Sequence, residues 1–370
     1  MIQGHGGNIF AVARLLGCRP GEIIDMSSNI NPLGVPPGLR EHLLDHLDRI
    51  GVLPEVDSRT AVAHMAALLD VDTRRMLAGN GTTQFIYTVC PALDAQKVLI
   101  VGPTYADYAD ACRMHRLEPS YFLADATAHF EVHLDMLDQG IKGFDTVFIC
   151  NPNNPTGTLI PCEALIQLCR ANPHTHFIID ESYLPFAPSD QLEGMAGSMA
   201  ESMAACELEN VSVLWSFSKI FGSPGLRAGF LIANEATIDR FQRYMQPWSL
   251  NSLAQAAIDY LGHNRGTVMA FVENTRRYLA KERLQFRDDL ASVIAITLYP
   301  SVTSYILIGL PQGFNAEGVY QHMAQKRILI RNCSNFHGLS NRFVRVALKD
   351  SPVNRTAAGH LVEHLQQPGI

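Results

Sequence analysis

No stretch of this 370-residue sequence gathers Lys and Arg into a basic stripe; Arg74-Arg75 and Arg276-Arg277 are isolated pairs that read as solvated helix faces. With a formal net charge of −7, a nucleic-acid partner is not expected. The eight cysteines include no CxxC pair, so the spacing offers no thiolate metal site and no metal is expected. Cys18, Cys90, Cys112, Cys150, Cys162, Cys169, Cys206 and Cys333 lie scattered, mostly in apolar surroundings, as free thiols do in a reducing compartment. No run approaches the roughly 18 apolar residues of a membrane helix, and no basic segment leads into an apolar one near residue 1. A membrane span and a secretory leader are therefore not expected, and the cytoplasm is the expected location. Internal repeats, low-complexity blocks and long linkers are absent too.

What is present is an ordinary globular composition. Apolar residues make up 47% and charged residues 18%, enough to bury a sizeable core. The length suits two domains, or one large α/β domain with an appendage. The first forty residues, with "HGGNIF" and "DMSSNINPLGVPPG", read as an arm and loops around one short helix. Helical spacing follows over 39–49 and 58–70. "MLAGNGTTQFIYTVCPAL" reads as a glycine turn opening a helix, and "KVLIVGPTY", "DTVFICNPNNPTG", "THFIIDESYLPF", "VSVLWSFSK" and "AGFLIAN" as short apolar strands. Helical segments such as "CEALIQLCRAN" lie between several of them. Apolar strands alternating with helices predict a mostly parallel sheet covered on both faces. Ligands of such sheets sit outside the carboxyl ends of the strands, where the Gly, Asn, Asp, Ser and Lys residues of these motifs lie. Beyond about residue 255 a long helical stretch, further strands and helices at 315–325 and 353–366 read as a smaller α+β domain. The expected division is 1–45 as arm and part of the small domain, 46–255 as the large domain, and 256–370 as the small domain.

"LWSFSKIFGSPGLRAGF" isolates one lysine, Lys219, without a nearby acid. A neutral lysine attacks aldehydes, and burial or neighbouring cations shift it toward neutrality; taken alone, a lysine just after a strand is more often a surface residue. Ser216, Ser218 and the fork of Arg227 suit a phosphate. So does the turn "GNGTT" at 79–83, whose residues Gly81, Thr82 and Thr83 open a helix. A phosphate clamp beside an aldehyde-binding lysine points to pyridoxal 5′-phosphate. Asp180, ending the apolar run of "IIDESY", suits a protonated pyridine nitrogen, or equally a helix cap. Tyr183 and Asn154 are in place for the cofactor's phenolic oxygen.

"NPNNPTG", "DESY" and "SFSKIFGSPGLRAGF", in that order, resemble the fold-type I pyridoxal-phosphate enzymes of the aminotransferase class, in their histidinol-phosphate aminotransferase branch. Within that branch "HGGNIF", "SSNINPLGVP" and "RNCSNFHGLSNRFVRVAL" resemble the threonine-phosphate decarboxylases of cobalamin biosynthesis. The likeness covers almost the whole chain. It implies an α/β fold-type I transferase, with a mainly parallel seven-stranded sheet in the large domain and a smaller α+β domain. It implies Lys219 as the lysine carrying the cofactor aldehyde, Asp180 on the pyridinium nitrogen, Asn154 and Tyr183 on the phenolic oxygen, and Tyr108 stacked on the ring. Gly81, Thr82, Thr83, Ser216, Ser218 and Arg227 would hold the cofactor phosphate. Arg345 would bind a substrate carboxylate, Arg331 a substrate phosphate, and His5 and Asn31 would lie near the substrate. A homodimer is implied as well.

The expected reaction is decarboxylation of O-phospho-L-threonine, with O-phosphoserine as a further substrate. A histidinol-phosphate-type aminotransferase is the alternative. A non-catalytic binding protein of the same fold is a third reading, opposed by the intact Lys219, Asp180 and Arg227. Two positions depart from the family pattern. Leu53 stands where the family has a tyrosine that reaches the partner subunit's cofactor phosphate, and Gln84 stands where a glutamate often follows the glycine turn.

Overall fold

The structure is a computed structural model that describes residues 6–189 and 208–366. After a two-residue strand β1 (Ile24–Asp25) come β2 (Met76–Asn80), β3 (Val98–Gly102), β4 (Ser120–Leu123), β5 (Thr146–Cys150), β6 (His176–Asp180), β7 (Val211–Ser216) and β8 (Ala228–Ala233). The C-terminal part adds β9 (Thr297–Leu298), β10 (Tyr305–Gly309), β11 (Ile328–Leu329), β12 (Arg331–Asn332) and β13 (Phe343–Ala347). Strands β2 to β8 form one seven-stranded sheet in the order β2-β8-β7-β6-β5-β3-β4. The pairs β3–β4, β3–β5, β5–β6 and β6–β7 are parallel, while β8 runs antiparallel to both β2 and β7. This is the α/β architecture with a mainly parallel seven-stranded sheet that the sequence motifs imply.

The central strands form where β-branched and aromatic residues follow one another without a polar face. VLIVG of β3, TVFIC of β5 and VSVLWS of β7 are buried at every position. Strands covered on both sides have no solvent face to alternate with. Helices supply the crossovers that parallel neighbours require: Asp107–Met114 follows β3, Leu134–Ile141 follows β4 and Cys162–Ala171 follows β5. One contiguous core joins the large sheet, through Phe148, Ile178, Val213 and Phe230, to the inner faces of β10 and β13, through Tyr305 and Val344.

The smaller four-stranded sheet is antiparallel, in the order β12-β13-β10-β9. Strand β1 pairs in parallel with β11. A satellite cluster of Val12, Ala13 and Ile23 against Ala324 and Leu329 fixes the N-terminal helix Ile9–Leu16 to that region.

Two local expectations change. The helix expected over 39–49 ends at Asp45 and continues as a 3₁₀ turn, Leu47–Gly51. There His46 folds its Nδ1 back to within 2.8 Å of the His42 carbonyl, meeting an acceptor that the helix end leaves open. The residues MLAGN, read as part of a turn, are the edge strand β2 instead. The seven described cysteines are free and buried or half-buried, and Cys206 lies outside the described residues. Among the described residues no helix is long and apolar enough to cross a membrane.

Candidate active site

Strand register assembles the site. Asp180 ends β6 beside Cys150 of β5 and Leu214 of β7. Ser216 ends β7 opposite Gly229 of β8, and Asn80 ends β2 opposite Ala228. Because β8 runs antiparallel to β2 and β7, its first residues lie beside their last ones. The segment 217–227 therefore begins and ends at one rim of the sheet, carrying Lys219 and Arg227 to the same place as Gly81. A cavity of ≈ 450 Å³ opens at this rim, with Lys219, Asp180, Arg227, Arg331 and Arg345 among its walls.

Lys219 lies on the short helix Phe217–Ile220. Its Nζ is 5.8 Å from the centre of the Tyr183 ring. Burial, with the charges of Arg345 and Arg227, lowers its pKa to about 8, against the opposing pull of Asp180 and Asp107. Asp180 is buried and doubly held: Tyr108 donates its hydroxyl to Oδ2 at 2.7 Å, and the Ser182 amide donates to Oδ1 at 2.9 Å. Asn29 donates to the Tyr183 hydroxyl at 3.2 Å, and burial pushes the Tyr183 pKa up. The buried Arg345 guanidinium donates to Asn154 Oδ1 and, at 2.6 Å, to the Ser27 carbonyl. Two buried atoms here have no hydrogen-bond partner, Asn29 Oδ1 and Arg345 Nε. Orphaned polar atoms beside a cavity are what a bound polar group would satisfy.

On another wall, the helix Gly81–Leu93 points its N-terminus at the cavity through Gly81, Thr82 and Thr83. Its first amides have no partner within the helix and suit an anion. Gly81 has φ +71°, and a Cβ there would sit 2.5 Å from Arg227 Nη2. Only glycine lets this turn and the guanidinium close on each other. Gln84 accepts from the Asn80 amide at 2.7 Å and donates to Ser249 at 3.1 Å, tying the turn to the segment before Ser252–His263. Ser216 and Ser218 line the same wall. Across the cavity, Arg331 of β12 is the register partner of Arg345 of β13. Its guanidinium donates to Asn335 Oδ1 at 2.6 Å and lies 5.0 Å from the Phe336 ring centre. Burial, with the nearby Arg345 charge, lowers the Arg331 pKa to about 10.

One expected position needs restating. Asn31 does not face the cavity. Its amide donates to the Ile220 carbonyl at 2.7 Å and to Thr275 at 2.8 Å, while its oxygen accepts from the Leu33 amide at 2.9 Å. It is a strut holding the arm against the Lys219 helix, and Asn29, two residues earlier, takes the place at the cavity. Tyr108 is fully buried and lines the cavity; one face of its ring stacks on Phe148, centroids 5.0 Å apart, and its hydroxyl holds Asp180. Half-exposed Tyr105 is another tyrosine on the cavity wall. "SSNIN" contains two asparagines, and only the fold shows which one turns inward. His5 lies outside the described residues. Leu53 is exposed.

Comparison with known proteins adds a family. The model described as aminotransferase class I and II matches residues 21–361. The chain belongs to that family. A threonine-phosphate decarboxylase of Salmonella typhimurium is 31% identical over 357 residues, covering 95% of this chain and 94% of that one. A histidinol-phosphate aminotransferase of Methanocaldococcus jannaschii is 28% identical, covering 91% and 88%. Among solved structures, the L-threonine-O-3-phosphate decarboxylase of Porphyromonas gingivalis superposes with a TM-score of 0.79 at 28% identity, covering 93% of this chain and all of that one. The donor set of this class I and II aminotransferase chain fits pyridoxal 5′-phosphate: a lysine of lowered pKa, an anchored buried carboxylate, orphaned polar atoms, and a helix N-terminus closed by a guanidinium.

Proposed function

We propose that the chain is a pyridoxal 5′-phosphate-dependent carboxy-lyase. It converts O-phospho-L-threonine to (R)-1-aminopropan-2-yl phosphate for cobalamin biosynthesis. The observation that carries this reading is the pair of guanidiniums, Arg331 and Arg345, side by side on β12 and β13 and apart from the anion site at Gly81 and Arg227. The cofactor phosphate uses the Gly81 site. Two cationic groups then remain for a substrate that is itself doubly anionic, with a carboxylate and a phosphate. The Salmonella and Porphyromonas relatives, named for that substrate, support the same reading.

When bound, the cofactor supplies an aldehyde for the substrate amine and a sink for the electron pair of the breaking Cα bond. The rest is done by side chains. Asp180, fixed by Tyr108 and Ser182, holds a proton on the pyridine nitrogen. Gly81, Thr82, Thr83, Ser216, Ser218 and Arg227 would hold the cofactor phosphate, Asn154 and Tyr183 its phenolic oxygen, and Tyr108 would offer the stacking ring. Arg345 takes the substrate carboxylate and Arg331 the phosphate, with Asn29 beside them. Two anchors fix the direction of the Cα–carboxylate bond, and that direction selects the bond that breaks. Carbon dioxide leaves, and Lys219 Nζ delivers a proton to Cα in its place. A pKa of about 8 keeps both forms of Lys219 accessible near neutrality.

The exposed apolar residues Ile50, Val52, Leu53 and Val56 support a homodimer formed on that face. The run borders the phosphate wall: Ser252 and Gln255 bond the Val52 and Glu55 carbonyls, and Asn251 bonds Leu226 next to Arg227. The free thiols fit the cytoplasm. Residues 46–255, which hold the seven-stranded sheet, form the large domain. Residues 256–370, with the 1–45 arm, form the small one.

The test is incubation of the protein with pyridoxal 5′-phosphate and O-phospho-L-threonine, without keto acid, scoring carbon dioxide and the phosphorylated amine. Turnover is expected. O-phosphoserine lacks one methyl, a difference of about 1–3 kcal/mol in a pocket, and is expected to react more slowly. No release, with keto-acid-dependent loss of the amino group from histidinol phosphate, would replace this reading by the aminotransferase one that the Methanocaldococcus relative favours.

A further inference from the structure

Away from the cavity, the helices Arg59–Leu69 and Ser252–His263 bring His64, Asp259 and His263 together. Asp259 and His263 are four apart, so both project from one face of their helix. His64 reaches them from the other helix. Asp259 Oδ1 lies 3.3 Å from His64 Nδ1 and 3.4 Å from His263 Nδ1. The three ligand atoms all fall within 4.8 Å of one another. In a tetrahedral zinc site, ligands about 2.0–2.1 Å from the ion stand roughly 3.3–3.4 Å apart, so the His64–Asp259 edge already matches. His263 Nδ1 donates to the Asp259 carbonyl at 2.9 Å, which leaves Nε2 as the ligand atom of that ring. The edges to His263 have room to adjust, because His263 is the most exposed of the three.

Two further observations single out this cluster. His64 Nδ1 is buried and makes no hydrogen bond, although Asp259 Oδ1 is near. An unpartnered buried imidazole nitrogen is open to an ion. Close by, Gly262 opens the space His64 needs: a Cβ at 262 would lie 2.6 Å from both Cβ and Cγ of His64. Nothing in the proposed reaction uses these residues.

We propose that His64, Asp259 and His263 form a binding site for a divalent transition metal of the zinc type. Two neutral imidazoles and one carboxylate leave the remaining position to water. The ion would tie the two helices together without entering the reaction. It is tested by titrating the pyridoxal-phosphate-loaded protein with zinc chloride, by calorimetry and by metal analysis after dialysis. One zinc per chain is expected, with a rise in Tm, because the ion binds the folded state alone. His64→Gln, Asp259→Asn and the surface variant His263→Gln should each weaken zinc binding at least about tenfold and leave decarboxylation unchanged. Gly262→Ala should weaken it too, by displacing His64. Wild-type protein that retains no zinc overturns the proposal. So does zinc bound equally tightly by His263→Gln and Asp259→Asn, since the ion would then sit elsewhere.

Discussion

Lys219 carries the amine on which the proposed chemistry turns, and its environment sets how folding depends on pH. Its pKa is lowered from 10.5 to about 8, first by burial and then by Arg345 and Arg227. Below pH 8 the native state must hold a charged amine in a place that disfavours it. Between 8 and 10.5 the native amine is neutral while the unfolded one keeps its proton, so this penalty shrinks as pH rises and is gone above 10.5. Cofactor-free Lys219→Met should therefore be more stable than cofactor-free wild type at pH 7, with the gap narrowing from pH 8 upward; urea unfolding across that range measures it. The same variant should lose decarboxylation by at least about 10²-fold, the lower range of general acid–base contributions. At this scale the motifs named most of the chemistry, since an isolated lysine, an acid ending an apolar run and a glycine turn are local features. They pointed to Asn31 where Asn29 lines the cavity, because the direction of a side chain in an irregular loop is set by what packs on it. Here the Ile220 carbonyl and Thr275 claim Asn31.

Among the elements, the start of the helix Gly81–Leu93 is the part most exposed to a single change. Gly81→Ala forces a Cβ into a left-handed turn and against Arg227. The backbone cost is about 1–2 kcal/mol, and the anion site opens at the same time. Stability should fall by about that amount in urea. Affinity for pyridoxal 5′-phosphate, followed by absorbance titration, should fall about tenfold or more, a loss of about 1.4 kcal/mol or more. Strands β3, β5, β6 and β7 were legible because each is a run of apolar residues leading into a Gly, Asn, Asp or Ser motif. β2 was not, for Met76–Asn80 holds no β-branched or aromatic residue and leads straight into a helix. The reversal of β8 was not legible either: its apolar run reads the same in both directions, and only pairing with β7 and β2 orients it. That reversal brings Arg227 to Gly81.

For the whole molecule, the exposed apolar run at 50–56 calls for a covering surface, and a second copy is the proposed one. Leu53→Asp should shift the protein toward monomer in sedimentation velocity at micromolar concentration, and activity should fall with the dimer if both subunits complete the site. A dimer unchanged by that substitution would place the interface elsewhere. Composition and motif order determined the fold class, the cofactor chemistry and the family, because burial of apolar strands and the needs of an aldehyde-binding lysine leave local marks. Tertiary structure alone decided the rest. The pairing of β12 with β13 set Arg331 beside Arg345, from motifs separate in sequence. The packing of Ser252–His263 on Arg59–Leu69 joined His64 to Asp259. Contacts between residues far apart in the chain have no period and no spacing, so only the folded core specifies them.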